Sequence, residues 1–548
     1  MRLQSGRDGR SPGYHPNLKM EAPVHPRTWR SLAGAFLAFF ALAVCLQWRG
    51  HAYAVDLADN PDEAGHYVSA LMARDYLLAF PWPSPIAFAT RFYDYYPAVA
   101  IGHWPPMFYF VQAVWMLAFG DTIRSTLILI AVISAATATL LFGAWRSLFG
   151  GLAAAGLAVA FLIAPIVQQY SRAVMAEMLV TFFIVLATLV YARYLRTERA
   201  RDAVWFGIAA SAAILTKPNG LVLALVPPLA ILLGRRLTLA RRASFWIPAA
   251  IVAALCGPWY VLTAGLASDG WSATYSPAWL LRKPAAENAI GLVMLAGPPM
   301  FALATLGVFL TVGRTATEAV ARAERRAHWA AMAALGIATW LFLSFVLPVR
   351  GMRHLVPALP PILVFAAAAA ACIAHGRART ARRVTAAVLL AIAVITLGVS
   401  AVRLKAKPDM GSAAVVEDIL SRADLTSAVL LVSSEWYGEG VFIAALAARD
   451  ARPQHRVLRA SKVLSTSTWS GSDYRLSFET PEDADRALRA AHVEVLVVDM
   501  HEAPGPHTLH HRQLLAVIEQ YPNHWEPMLQ KASASGRFKV FRAVRHGT

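Results

Sequence analysis

Five stretches of the chain hold acids and bases of the kinds that move a group onto a hydroxyl. Asp62 and Glu63 stand side by side in NPDEAGHYVSALMARDYL (60–77), where Tyr67, Ala70, Leu71 and Arg74 fall on one face of a helical pattern. GHWPPMFY (102–109) sets His103 before a Pro-Pro pair and Tyr109. SRAVMAEML (171–179) carries Arg172 and Glu177, LTKPNG (215–220) carries Lys217, and VRGMRHLVPALPP (349–361) carries Arg350, Arg353 and His354. A carboxylate can accept the proton of an attacking hydroxyl, while Lys, Arg or His groups neutralise a departing phosphate. Plainer readings stand beside this one. Asp followed by Glu also caps a helix and suits its dipole, and Lys217 and Arg350 suit cations snorkelling from helix ends.

Whether these residues can meet depends on the elements that carry them. Of the 548 residues, 57% are apolar and 15% charged, with a mean hydropathy of +0.47. A soluble chain carries about a quarter charged residues. The deficit lies between residues 31 and 401, where apolar runs alternate with short basic loops. Runs of this length match helices crossing a hydrocarbon core of about 30 Å. The net charge of +18 comes from arginine in those loops, which points to membrane topology and anionic lipid headgroups rather than to nucleic acid. Cys45, Cys256 and Cys372 all fall inside apolar runs and read as small packing residues.

Counting arginine orders the loops. YARYLRTERARD (191–202), RRLTLARR (235–242), ARAERRAH (321–328) and HGRARTARR (375–383) alternate without a break with arginine-poor connections at 168–176, 217–219, 265–288 and 348–354. Basic loops stay in the cytoplasm, so the chemistry-bearing connections share the outer face. The alternation holds only if PPMFYFVQAVWMLAFG (105–120) lies at the membrane surface, and its short length and terminal aromatics suit that position. About eleven spans follow, at 31–48, 125–143, 151–167, 177–193, 203–216, 220–234, 243–264, 289–312, 329–347, 354–374 and 384–401. They leave a disordered basic N-terminus (1–30), a first external loop at 49–124 and an external C-terminal domain at 404–548. The uncleaved first span serves as an anchor even though Ala52-Tyr53-Ala54 follows it. In the tail, 428–435, 493–499 and 538–543 read as strands, and 438–450, 481–492 and 508–521 as helices. These make a small α/β domain in which His507, His510 and His511 read as a solvated helix start.

At these residues the chain resembles the GT-C glycosyltransferases. The likeness is to the polyprenyl-phosphate-sugar group, which includes the protein O-mannosyltransferases and the lipid A aminoarabinose transferase. It runs from about residue 31 to 375. Asp62-Glu63 with Tyr67 match the acidic pair after the first span, and His103, Pro105, Pro106 and Tyr109 match a basic residue before Pro-Pro and an aromatic. Glu177, Leu215-Thr216-Lys217, Pro258-Trp259-Tyr260 and Arg353 through Pro361 match the later motifs. His103 stands where many relatives have lysine, Glu177 where aspartate is usual, and His354 where tyrosine is common.

The resemblance implies a polytopic helical membrane enzyme of a bacterial inner membrane. It would move a sugar from a polyprenyl-phosphate donor to an external glycolipid, protein or polymer hydroxyl. Asp62, before Glu63, would supply the catalytic carboxylate. Tyr67, His103, Tyr109, Glu177, Lys217, Arg350, Arg353 and His354 would bind the donor. The resemblance leaves a divalent cation open. A lipid or solute transporter would show internal repeats and ionisable groups at mid-membrane; here no repeat is found and the ionisable groups gather at span ends. A non-catalytic scaffold differs in that Asp62→Asn would be silent.

Overall fold

The computed structural model describes residues 26–99, 102–270, 277–313, 319–346, 351–374, 379–434, 436–467, 473–501, 508–528 and 536–544. The first helix, Pro26–Arg49, starts inside the segment expected to be disordered, with a proline in the first turn where its missing N–H costs nothing. Among the described residues, six helices are long and apolar enough to cross a membrane, and two bent pairs raise the number to eight if each pair is one crossing. Gly151–Ile163 turns by 62° into Pro165–Ser171, and Pro284–Ala296 turns by 104° into Pro298–Val312. The expected straight span at 289–312 is therefore a broken one. Gly297, at a φ of +81°, makes the corner, and two prolines open the next helix. Three shorter helical stretches, Ala200–Thr216, Pro218–Leu233 and Ala387–Val402, run between the same two ends as the long ones.

Contacts identify those ends. At one, Ser31 accepts a bond from Arg146, Trp145 stacks on Trp329, and Glu198 pairs with Arg236 and Arg242. This is the end of the arginine-rich loops. The helix Glu177–Thr197 has 21 residues and rises about 30 Å, so Glu177 lies a full bilayer core away at the opposite end.

At that opposite end, the first loop folds into three helices, Glu63–Leu78, Pro85–Tyr95 and Met107–Phe119. The last contains 13 residues and rises about 20 Å, too short to span. It buries Phe108, Tyr109, Gln112 and Met116 while exposing Phe110, Val114 and Leu117.

The C-terminal domain follows Arg379–Val402. Its strands are β1 (Val429–Ser433), β2 (Arg456–Arg459), β3 (Ser465–Thr466), β4 (Arg475–Leu476), β5 (Val495–Asp499), β6 (Trp525–Pro527) and β7 (Phe538–Ala543). Five of them form one sheet in the order β2-β1-β5-β7-β6, while β3 and β4 pair apart. β1 runs parallel to β2 and β5, and β7 is antiparallel to β5 and β6. β5 is buried throughout, as its unbroken apolar run requires for a strand covered on both faces. His510 and His511 are not solvated. They are buried against Tyr474 and Ser433, because the helix Leu509–Gln520 packs this turn inward. His507 lies outside the described residues.

Candidate active site

The cluster is built on the N-terminus of the helix Glu63–Leu78. Asp62 occupies the N-cap position, yet its side chain makes no capping bond. Its Oδ2 instead accepts from the Arg353 guanidinium at 2.7 Å, and both side chains keep 29% of their surface open. Burial pushes the Asp62 carboxyl up, but Arg353, then His66 and Lys217, more than offset it and hold the group below the usual carboxylate range. The guanidinium continues to Glu177, with Arg353 Nε 3.9 Å from Oε1. That oxygen also accepts from Lys217 at 2.5 Å. Among the described residues, the buried Glu177 Oε2 has no hydrogen-bond partner.

Each cation is positioned by a helix end. Lys217 follows Ala200–Thr216 as its C-cap in extended conformation, and Arg353 sits in the short 3-10 helix Met352–Ala358. His354 is buried one residue on, where its Nδ1 meets Asn219 at 2.9 Å, so the Lys217 turn and the Arg353 turn are bonded to one another. Arg350 lies outside the described residues.

Glu63 has a different environment from its neighbour. It is fully buried, as is Lys407, and the two are paired at 2.5 Å. Glu63 also accepts from the backbone N–H groups of Val174 and Asp59. Burial pushes this carboxyl up and Lys407 pulls against it. Arg172 reinforces the same loop through a two-pronged pair with Asp59 at 2.8 and 3.0 Å.

Two expected ligands, Tyr67 and Tyr109, stand behind the cluster rather than in it. Tyr67 is fully buried and donates to the Asp121 carbonyl at 2.5 Å, tying the helix to the following loop. Tyr109 is buried with its hydroxyl 2.8 Å from His66 Nδ1. His103 is half-buried in the turn before Met107–Phe119; from the same turn the Trp104 ring lies 4.2 Å from that of His66. His66, Asp59, Asn60, Asn219 and Lys407 were not singled out from sequence. His66 was within reach, since its spacing of four from Asp62 puts the two on one helical face. Burial pushes its imidazole down to about 4, against the pull of Asp62 and Glu177, so it is neutral near pH 7.

Among the described residues no group of three or more His, Cys, Asp or Glu side chains is arranged to hold a metal. Arg353 pairs with Asp62, and Lys217 pairs with Glu177.

Broken helical spans, a loop of short helices carrying the acids and a C-terminal α/β domain together define a class. The chain has a GT-C glycosyltransferase-like fold. Residues 103–261 match the model of the dolichyl-phosphate-mannose-protein mannosyltransferase family. Among solved structures, the chain is similar to ArnT from Cupriavidus metallidurans bound to undecaprenyl phosphate. That match has 15% identity and a TM-score of 0.56, and covers 94% of this chain and 98% of ArnT. It is also similar to the archaeal oligosaccharyltransferase AglB from Archaeoglobus fulgidus in complex with an inhibitory peptide and a dolichol-phosphate. There the identity is 14% and the TM-score 0.52, covering 86% of this chain and 69% of AglB. No curated protein sequence matches the chain.

Proposed function

We propose that the chain moves a sugar from a polyprenyl-phosphate donor to a hydroxyl of a cell-envelope acceptor at the outer face of a bacterial inner membrane, with Asp62 as the base. The observation that carries this reading is the contrast between adjacent acids. Asp62 is partly open, uncommitted to capping and held ionised by a cation, whereas Glu63 is sealed and fully engaged. The matched family is named for a lipid-phosphate sugar donor, and two similar structures hold a polyprenyl phosphate, which supports a donor of that chemistry.

In the step, the acceptor oxygen attacks the anomeric carbon and its proton passes to the Asp62 carboxylate. The bond from that carbon to the phosphate oxygen breaks, its electron pair leaves with the phosphate, and configuration inverts. Arg353 and Lys217 supply positive charge where negative charge grows on the phosphate. Groups held in place before the reaction cost no reorganisation during it.

The test uses the full chain in proteoliposomes with envelope extract as acceptor. Donors are undecaprenyl phosphate linked to radiolabelled mannose, glucose, galactose or a 4-amino-pentose. Label should pass from one of these into the extract and stop with Asp62→Asn at equal protein. Transfer by that variant at the wild-type rate removes Asp62 from the chemistry. No transfer from any donor by the wild-type chain overturns the reading itself.

A further inference from the structure

The segment joining the last span to the external domain is stitched to the acid-bearing loop along its length. Arg172 donates to the Lys405 carbonyl at 2.5 Å while its other nitrogens hold Asp59. The Lys407 N–H donates to the Gly50 carbonyl at 3.1 Å, and the Ser412 N–H donates to Asp56 Oδ2 at 2.7 Å. Between these stitches the Lys407 side chain passes beneath the loop to Glu63, fully buried at both ends. Glu63 spends its other bonds on Val174, just before Glu177, and on Asp59, just before the Asp62 turn. A lone buried charge is costly, so this pair admits few arrangements of the loop that carries it.

We propose that Lys407 is a positioning residue for sugar transfer. By locking Glu63 from below, it sets the carboxylate of Asp62 against Arg353, and it makes the seating of the external domain a condition for the chemistry. The proposal rests on the reading of Asp62 as base. It gives the external domain a task besides any contact with the acceptor.

A second tie of the same domain to the same loop provides the control. Arg452 pairs with Asp75 at 2.8 Å and with Asp121 at 2.6 Å, at the far end of the helix that Asp62 begins. It seats the domain without touching the acid turn.

Lys407→Met, the double variant Glu63→Met with Lys407→Met, and Arg452→Met are compared with wild type in proteoliposomes. Two quantities are read: release of undecaprenyl phosphate from the labelled donors above, and direct binding of undecaprenyl phosphate. Lys407→Met should lose tenfold or more in kcat, with undecaprenyl phosphate binding within twofold of wild type. The double variant removes the stranded charge and accumulates normally, yet it stays slow because the bonds to Val174 and Asp59 are gone. Arg452→Met should retain kcat within twofold. A wild-type kcat in the double variant, or an equal loss in Arg452→Met, overturns the proposal by reducing Lys407 to general domain seating. If Lys407→Met does not accumulate, the double variant and Arg452→Met decide the matter by the same criteria. Asp62→Asn separates the two readings. Full activity there ends the base assignment, whereas an inactive Asp62→Asn beside a fully active Lys407→Met ends only this inference. A wild-type chain that consumes none of the donors overturns both.

Discussion

A carboxylate at a helix N-cap ordinarily bonds the helix's own free N–H groups. Asp62 sits at that position and bonds Arg353 instead, leaving the capping role unfilled. Replacing Asp62 by Asn should therefore cost little stability while lowering transfer by about 10²–10⁴-fold, the usual range for losing a general base. Thermal melting and turnover on one preparation would check both halves; a large drop in melting temperature would return Asp62 to a structural role. The pH dependence follows from the same contact. Arg353 depresses the Asp62 pKa, so the charged form persists above a folded pKa lower than the ordinary one and is lost only as pH falls through it. Arg353→Met lifts that pKa and should move the acid limb of kcat/KM to higher pH; an unmoved limb means that another group titrates. The acidic pair was legible in the sequence, but only the family resemblance set Asp62 before Glu63. The division of labour between Asp62 and Glu63 was not, because it depends on Lys407, a residue 344 positions away in sequence that nothing local distinguishes from Lys405.

At the level of elements, hydropathy located the spans but not their breaks. A window average treats 289–312 as continuous, although Gly-Pro-Pro at 297–299 removes backbone donors and admits a left-handed corner. The same local chemistry sets the Lys217 turn. Gly220 packs so tightly that an added Cβ would overlap the backbone of Ala213 and Ile214, one turn before Lys217. Gly220→Ala should cost about 1–3 kcal/mol as an overpacked contact. It should also weaken donor binding more than it slows the chemical step, because the displaced group is the cation proposed to meet the donor phosphate rather than the proposed base. A melting curve with a donor titration would show this; wild-type values in both mean the turn relaxes freely. The surface helix at Met107–Phe119 was legible because charge alternation excluded a crossing there. Its neighbour at Pro85–Tyr95 was not, since 49–124 read as one external segment with helical patterns only near 60–77 and 105–120.

Over the whole molecule, the parity of crossings is fixed by contacts rather than by helix length. Ser31 belongs to the end that holds Arg146 and the basic loops, and Gly50 to the end that holds Lys407 and the external domain. The chain thus enters at one end and leaves for its last domain at the other, which requires an odd number of traversals. Six long helices, or eight counting the bent pairs, are even. Adding Ala200–Thr216, Pro218–Leu233 and Ala387–Val402 gives eleven; the first two meet at the Lys217 turn of the acid end, and Val402 lies beside Arg49. Short and broken helices survive at bilayer depth because neighbouring helices, rather than lipid, satisfy and cover their backbone. If arginine-rich loops stay in the cytoplasm, alkaline phosphatase fused after residue 404 should be active and a fusion after residue 238 inactive at equal expression. The reverse pattern would put Asp62, Arg353 and the external domain in the cytosol. A pair of active fusions would instead break the parity argument, by showing that one of the three short helices turns back before crossing.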